Sequence, residues 1–343
     1  MRIRQVGAVC RVLLTAGLAL AALTWAYPVA AAPGDSLADV EQRVIEAKNE
    51  ANAAAARFTD AQSRYEQLGD QVAMIEQRIK VGEARAESLH EVAQRRAVVA
   101  YKTQGADISV LFESDDPREG VRSSVLLDAA NASDKQAVAE YAEVAADLAV
   151  QRERLAADRK AQRDALDKAA GERKLLDVKV ADAQRAQRNF DAKQQAAQAA
   201  APRSGVTAVI APVIDGLMCP VPGAAFSNDW GQPRSGGRRH EGNDMFAPTG
   251  TANIAVVNGD VTYGDGGLGG KGSYLAGENG VTYVYYHLSE YVGGPRHVSQ
   301  GEVIGRLGDT GNARGSPHTH FEVRPGGRTA AATNPFPIIS KVC

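Results

Sequence analysis

The chain has 343 residues, 39 basic against 41 acidic side chains, and a net charge of −2. That length suits two domains, and no run of Lys or Arg provides the basic footprint a nucleic-acid partner requires, so none is expected. Composition breaks near residue 202: 26 of the 34 glycines, 10 of the 14 prolines and five of the six histidines follow Arg203.

Residues 1–32 read as an export signal. Arg2, Arg4 and Arg11 flank an apolar run from Val12, which closes on the small residues Val29-Ala30-Ala31-Ala32. The run is either cleaved there or kept as an anchor, since about 20 apolar residues can just span a bilayer. Both readings place the remainder outside the cytoplasm, secreted or associated with the wall or cell surface. Cys10 precedes the run, which leaves Cys219 and Cys343 in the mature chain. Two thiols in an oxidising compartment predict one disulfide between them.

Residues 36–200 are expected to form a coiled-coil hairpin. From Leu37 through Val40, Val44, Ala47, Ala51, Ala54, Phe58 and onward to Leu89 and Ala93, apolar or small residues recur at alternating steps of three and four, with Gly82 the one poor fit. A rougher second seam runs through Val138, Tyr141, Ala145, Leu148, Leu155, Leu166, Ala169, Leu176, Val180, Ala183 and Phe190, interrupted by Arg152, Arg159 and Arg173. Breakers and two apolar clusters, Ile108 to Phe112 and Val125 to Leu127, lie between the seams and predict short helices at a tip over about 101–133. Residues 201–212 read as a linker.

The chemistry lies in 213–343. His240 stands four residues before Asp244 in a turn-rich stretch, His287 ends the strand-like run from Val281, and His318-Thr319-His320 opens another. Residues two apart on a strand share a face, so His318 and His320 project side by side. Catalytic zinc takes three protein N/O ligands and leaves one position open. His240, Asp244 and one histidine of the pair supply such a set, and the remaining histidines are candidates for proton transfer and oxyanion stabilisation. His297 fits no ligand spacing.

The three blocks together resemble the lysostaphin/LytM-type zinc endopeptidases. They read His240-Glu241-Gly242-Asn243-Asp244-Met245-Phe246-Ala247-Pro248-Thr249-Gly250-Thr251, then Tyr286-His287-Leu288, then Gly308 to Arg324 with Pro317-His318-Thr319-His320-Phe321-Glu322 at its centre. The resemblance implies a small antiparallel β sandwich or partly closed barrel with a groove across the sheet. It implies one Zn2+ per chain on His240, Asp244 and His320, with His287 and His318 catalytic, and the peptide cross-links of peptidoglycan as substrate in wall remodelling or division. Arg234, Arg238 and Arg239 then stand where substrate carboxylates would be met, or are ordinary surface arginines. Two departures are visible: Ala252-Asn253 replaces the family's Pro-Val, and Thr319 replaces its Leu. The helical half is similar to the hairpins of EnvC-like and PcsB-like division proteins. That implies an FtsX-like membrane partner at the tip and an alternative role as a non-catalytic activator of another hydrolase. Separately, the Ala/Gln-rich segment Asp191 to Pro212, which enters the domain just before Cys219, is expected to dock over the groove as a restraint.

Overall fold

The repeat of 3.5 residues forms two long helices in this computed structural model, which describes residues 35–103, 117–200 and 216–343. Helix α1 is Leu37–Thr103 and α2 is Pro117–Ala200. Ser36 caps α1: its hydroxyl accepts the Asp39 N–H at 3.1 Å while the Asp39 carboxylate accepts the Ser36 N–H at 2.8 Å. The two helices lie antiparallel, with Val40, Val44, Ala51, Ala54, Phe58, Leu68, Val72, Ile75 and Ile79 buried along α1 and Leu148, Ala169, Leu176, Val180 and Ala183 along α2.

Register is also marked by ion pairs between the arms, Glu50–Lys179, Arg57–Glu172, Glu76–Arg159, Glu83–Arg152 and Arg85–Glu140. These pairs are exposed, and such bridges contribute at most about 1 kcal/mol each. They do account for two of the arginines that interrupt the second seam. Gly82 is explained by its neighbour, because a Cβ there would meet Leu148 Cδ2 at 2.8 Å.

Two expectations for the hairpin need revision. Val138, Tyr141 and Leu166 are exposed, so the second seam is not one continuous stripe. Its apolar spacing drifts between Tyr141 and Ala169, and the arm contacts there pass to long polar side chains such as Gln162 against Gly69. Residues 117–133 are not a separate short helix but the first turns of α2. Residues 104–116, with the Ile108 to Phe112 cluster, lie outside the described residues, as do residues 1–34 and 201–215. No described helix is long and apolar enough to cross a membrane.

From Gly216 the chain is a β domain. Its strands are β1 (Ala225–Phe226), β2 (Pro233–Arg234), β3 (Arg238–Arg239), β4 (Asn243–Phe246), β5 (Ala252–Ile254), β6 (Gly259–Gly266), β7 (Gly270–Gly277), β8 (Thr282–Tyr291), β9 (Arg296–Val298), β10 (Val303–Leu307) and β11 (Thr319–Arg324), followed by α3 (Phe336–Val342). The main sheet runs β1-β4-β11-β8-β7-β6-β9, all antiparallel, and β2 and β3 form a separate hairpin. It branches at β8, whose first half pairs with β11 and whose second half pairs with β10 on the same edge, with β5 beyond. The sheet is not closed, in keeping with the antiparallel, at most partly closed domain expected from the sequence. Among the described residues no ladder joins the short edge strands β1 and β9. One face holds a core of Val221, Met245, Val256, Leu275, Tyr285, Leu288, Ile304, Leu307 and Phe321, capped by Ile339 and Val342 of α3. A disulfide joins Cys219 to Cys343 and so ties the first residues of the domain to its last helix.

The hairpin lies on the β1–β4 edge. Ala51, Ala54 and Ala55 allow α1 to approach closely, and Phe58 meets Phe246 edge to face with centroids 5.4 Å apart.

Candidate metal centre and groove

Alternation on β11 and its approach sorts the third block. Thr319, Phe321 and Val323 are buried, while His318, His320 and Glu322 share the opposite face. Ladder pairing sets His320 directly across from Asp244 of β4 and from Tyr286 of β8. Thr319 faces away from the groove, where its hydroxyl donates to Asn253 Oδ1 at 3.0 Å. The two departures from the family pattern are therefore partners in one buried hydrogen bond.

His287 reaches the groove through a bulge. Simple alternation on β8 would send it into the core with Tyr283 and Tyr285. Instead the strand gains a residue against β7, since Ser273 pairs with Tyr285 but Lys271 with Leu288. His287 absorbs the extra residue at φ +64°, a conformation uncommon outside glycine. Tyr286 and His287 then both line the groove, and Leu288 resumes the core side.

Three side chains converge. His240 Nε2 lies 2.9 Å from Asp244 Oδ1 and 2.8 Å from His320 Nδ1, and His320 Nδ1 lies 3.1 Å from the same carboxylate oxygen. These are the one group of His, Cys or acidic side chains among the described residues arranged to hold a metal ion.

The second nitrogen of each ring is taken by a protein acceptor. His240 Nδ1 donates to the Asp229 carbonyl at 3.0 Å, His287 Nδ1 to the Thr310 carbonyl at 2.8 Å, and His318 Nδ1 to the Ser316 carbonyl at 2.7 Å. His320 Nε2 faces Glu322 Oε1 at 3.1 Å, and Arg324 holds that carboxylate. A carbonyl cannot donate, so His240 presents an Nε2 lone pair toward Asp244. The remaining acceptors, Asp244 Oδ1 and the inner nitrogen of His320, face the same point. A cation is the natural occupant of such a set, and two His and one Asp are a zinc-type donor set.

The electrostatics agree. Burial and the neighbouring imidazoles push the His287 pKa down to about 3, and burial lowers His240 and His318 too. Burial opposes charge on His320, but hydrogen bonds to Asp244 and Glu322 outweigh it and raise its pKa to about 9. Without a metal, a proton there balances the two carboxylates. Desolvation works against the Asp244 carboxylate, yet His240 and His318 hold its pKa well below the ordinary value.

Around this centre lies a groove of about 740 Å³ whose walls include Tyr274, Tyr286, Asn312 and Arg314 from the β domain and Gln62 and Glu66 from α1. The hairpin grips the rim beside it. Asp60 accepts from the Gln232 amide, Glu66 from the Ser235 N–H, and Asp70 from the N–H groups of Gly236 and Gly237 at 3.0 and 3.2 Å. These rim contacts come from α1, not from Asp191 to Pro212, of which 201–212 lie outside the described residues. Arg234 is largely buried and donates to Asp244 Oδ2 at 3.0 Å, whereas Arg238 and Arg239 are exposed. His297 sits on the surface beside Asp260. Asp229, wholly buried behind His240 and bonded to Asn243, had no sequence signal of its own. Glu322 had one: it lies two residues past His320 on the same strand face.

Residues 238–335 match the family described as Peptidase family M23. The DD-carboxypeptidase/endopeptidase Mpg of Neisseria meningitidis serogroup B is 41% identical over 93 residues, which are 26% of this chain and 21% of that protein. The chain thus spans about a fifth of the length of the curated relatives it matches. Among solved structures, that of LytU overlaps 34% of this chain and 86% of its own at 33% identity, TM-score 0.32. A mutant catalytic domain of the prophage-encoded M23 protein EnpA from Enterococcus faecalis overlaps 33% and 88% at 29% identity, TM-score 0.30. Residues 238–335 of the C-terminal β domain thus form a Peptidase family M23 domain.

Proposed function

We propose that this protein is an extracytoplasmic zinc endopeptidase that hydrolyses peptide cross-links of peptidoglycan. The observation that carries the reading is the convergence of His240, Asp244 and His320 in one groove with His287 and His318, whose ring centroids lie 4.7 Å apart. His240 Nε2, Asp244 Oδ1 and His320 Nδ1 would hold the ion. When bound, zinc lowers the pKa of water to about 7 and polarises a carbonyl.

The residues around it do the rest. His287 and His318 are kept neutral by burial, and each has its Nδ1 proton committed to a carbonyl. Their Nε2 atoms are then free to accept a proton from attacking water, pass one to the leaving amine, or donate to a developing oxyanion. Arg234 braces Asp244, which leaves Arg238 and Arg239 at the open rim to meet substrate carboxylates.

The wall contributed by α1 supports a further reading, in which the hairpin governs access to the groove and an FtsX-like partner at its tip governs the hairpin. The test of activity is direct. The zinc-loaded full chain, incubated with purified peptidoglycan and defined muropeptides, is expected to release peptides with one new amino terminus per cut. Full zinc loading with no cleavage would favour the activator role instead.

A further inference from the structure

Arg173 is one of the three residues that interrupt the second seam, and unlike Arg152 and Arg159 it does not pair with α1 through a carboxylate. Its guanidinium leaves the hairpin and lies 5.5 Å from the ring centroids of both Phe58 and Phe246. Nη1 donates to Ser316 Oγ at 2.9 Å and Nη2 to the Pro317 carbonyl at 3.3 Å, with Asp177 Oδ1 2.9 Å from Nη2. Only 13% of the side chain is exposed.

Those contacts frame His318 from two sides. The Ser316 carbonyl fixes the His318 ring through Nδ1 at 2.7 Å, and the Phe246 ring lies 5.4 Å from it. The turn before His318 and the aromatic beside it are thus both held by one side chain from α2. A planar fork can bond two acceptors and stack on rings at once, which an ammonium cannot do.

We propose that Arg173 is a positioning residue of the peptidase site. It fixes the Ser316–Pro317 turn and, through it, the His318 imidazole, so the docked hairpin is a working part of the catalytic unit. Small misplacements of a proton-transfer group cost rate steeply while leaving substrate binding intact. The proposal rests on the reading of His318 as catalytic.

The test uses the zinc-loaded full chain on a defined muropeptide. Arg173→Ala is expected to lower kcat about tenfold, with KM within about twofold and zinc content unchanged. Ser316→Ala, which leaves the hairpin intact, is expected to give a smaller loss of kcat. The double variant should match Arg173→Ala within about twofold, because both changes break one link. Asn52→Ala removes a different bond of the same interface, to the Phe226 N–H at 3.0 Å, and should keep its kcat. An unchanged kcat in Arg173→Ala, losses that multiply in the double variant, or an equal loss in Asn52→Ala would each overturn the proposal. His318→Ala separates the two levels. A full rate there overturns the role of His318 and the proposal with it, whereas a lost rate there beside an unaffected Arg173→Ala overturns the proposal alone.

Discussion

A Cβ on Gly242 would stand 2.5 Å from Nε2 of His320. The glycine midway between His240 and Asp244 is bare because the ring of the third proposed ligand and the Phe321 carbonyl oxygen, 2.6 Å away, fill its side-chain space. Gly242→Ala must push that ring aside, shift the β11 backbone that carries it, or both. Zinc affinity, measured by competition with a chromogenic chelator, is expected to fall at least about tenfold, as for loss of an outer-shell partner. An unchanged affinity would show that the close approach does not set ligand geometry.

Glu322 fixes His320 from the far side. Glu322→Gln keeps the shape but replaces a charge-assisted bond with a neutral one. Zinc affinity in the same titration should drop about 10- to 100-fold, with the thermal midpoint of the metal-free protein moving much less than for a core truncation.

Thr319 and Asn253 give a prediction about stability. Both are fully buried, and Asn253 Nδ2 has no hydrogen-bond partner in the structure. Thr319→Val alone strands Asn253 Oδ1 as well and should cost about 1–3 kcal/mol in denaturant unfolding. Adding Asn253→Leu removes both polar groups and should recover most of the loss. A double variant no more stable than the single would mean that the pair is not energetically coupled.

His287 predicts a pH dependence for the metal-free protein. Its folded pKa of about 3 lies below the ordinary 6.5, so below pH 6.5 the unfolded chain binds a proton that the folded chain does not. Stability from this group is full above 6.5 and is lost as pH falls from 6.5 toward 3. The urea midpoint should decline across that window, and His287→Gln should flatten the decline. Equal slopes in the two proteins would contradict a buried neutral imidazole.

Much of this arrangement was legible because it depends on short-range spacing. His240 and Asp244 four apart, and His318 and His320 two apart, fix which side chains share a face before any long-range contact is known. The first helical arm was legible for the same reason. Other features depend on what packs against what. Alternation alone would bury His287, and only the bulge on β8 turns it outward. The openness of the sheet follows from ladders that edge strands do not make, and the exposure of Leu166 from a seam whose partner positions drift. Arg173 was visible as an interruption, but its purpose lies about 140 residues away at Ser316.

The most direct test of the zinc-peptidase assignment compares His320→Ala with His318→Ala in the full chain, each assayed for bound zinc by elemental analysis and for muropeptide hydrolysis. The parent should carry one zinc per chain. His320→Ala should lose both metal and activity, while His318→Ala should retain the metal and lose several orders of magnitude in rate. Undiminished zinc and activity in His320→Ala, or an unimpaired rate in His318→Ala, would contradict the assignment.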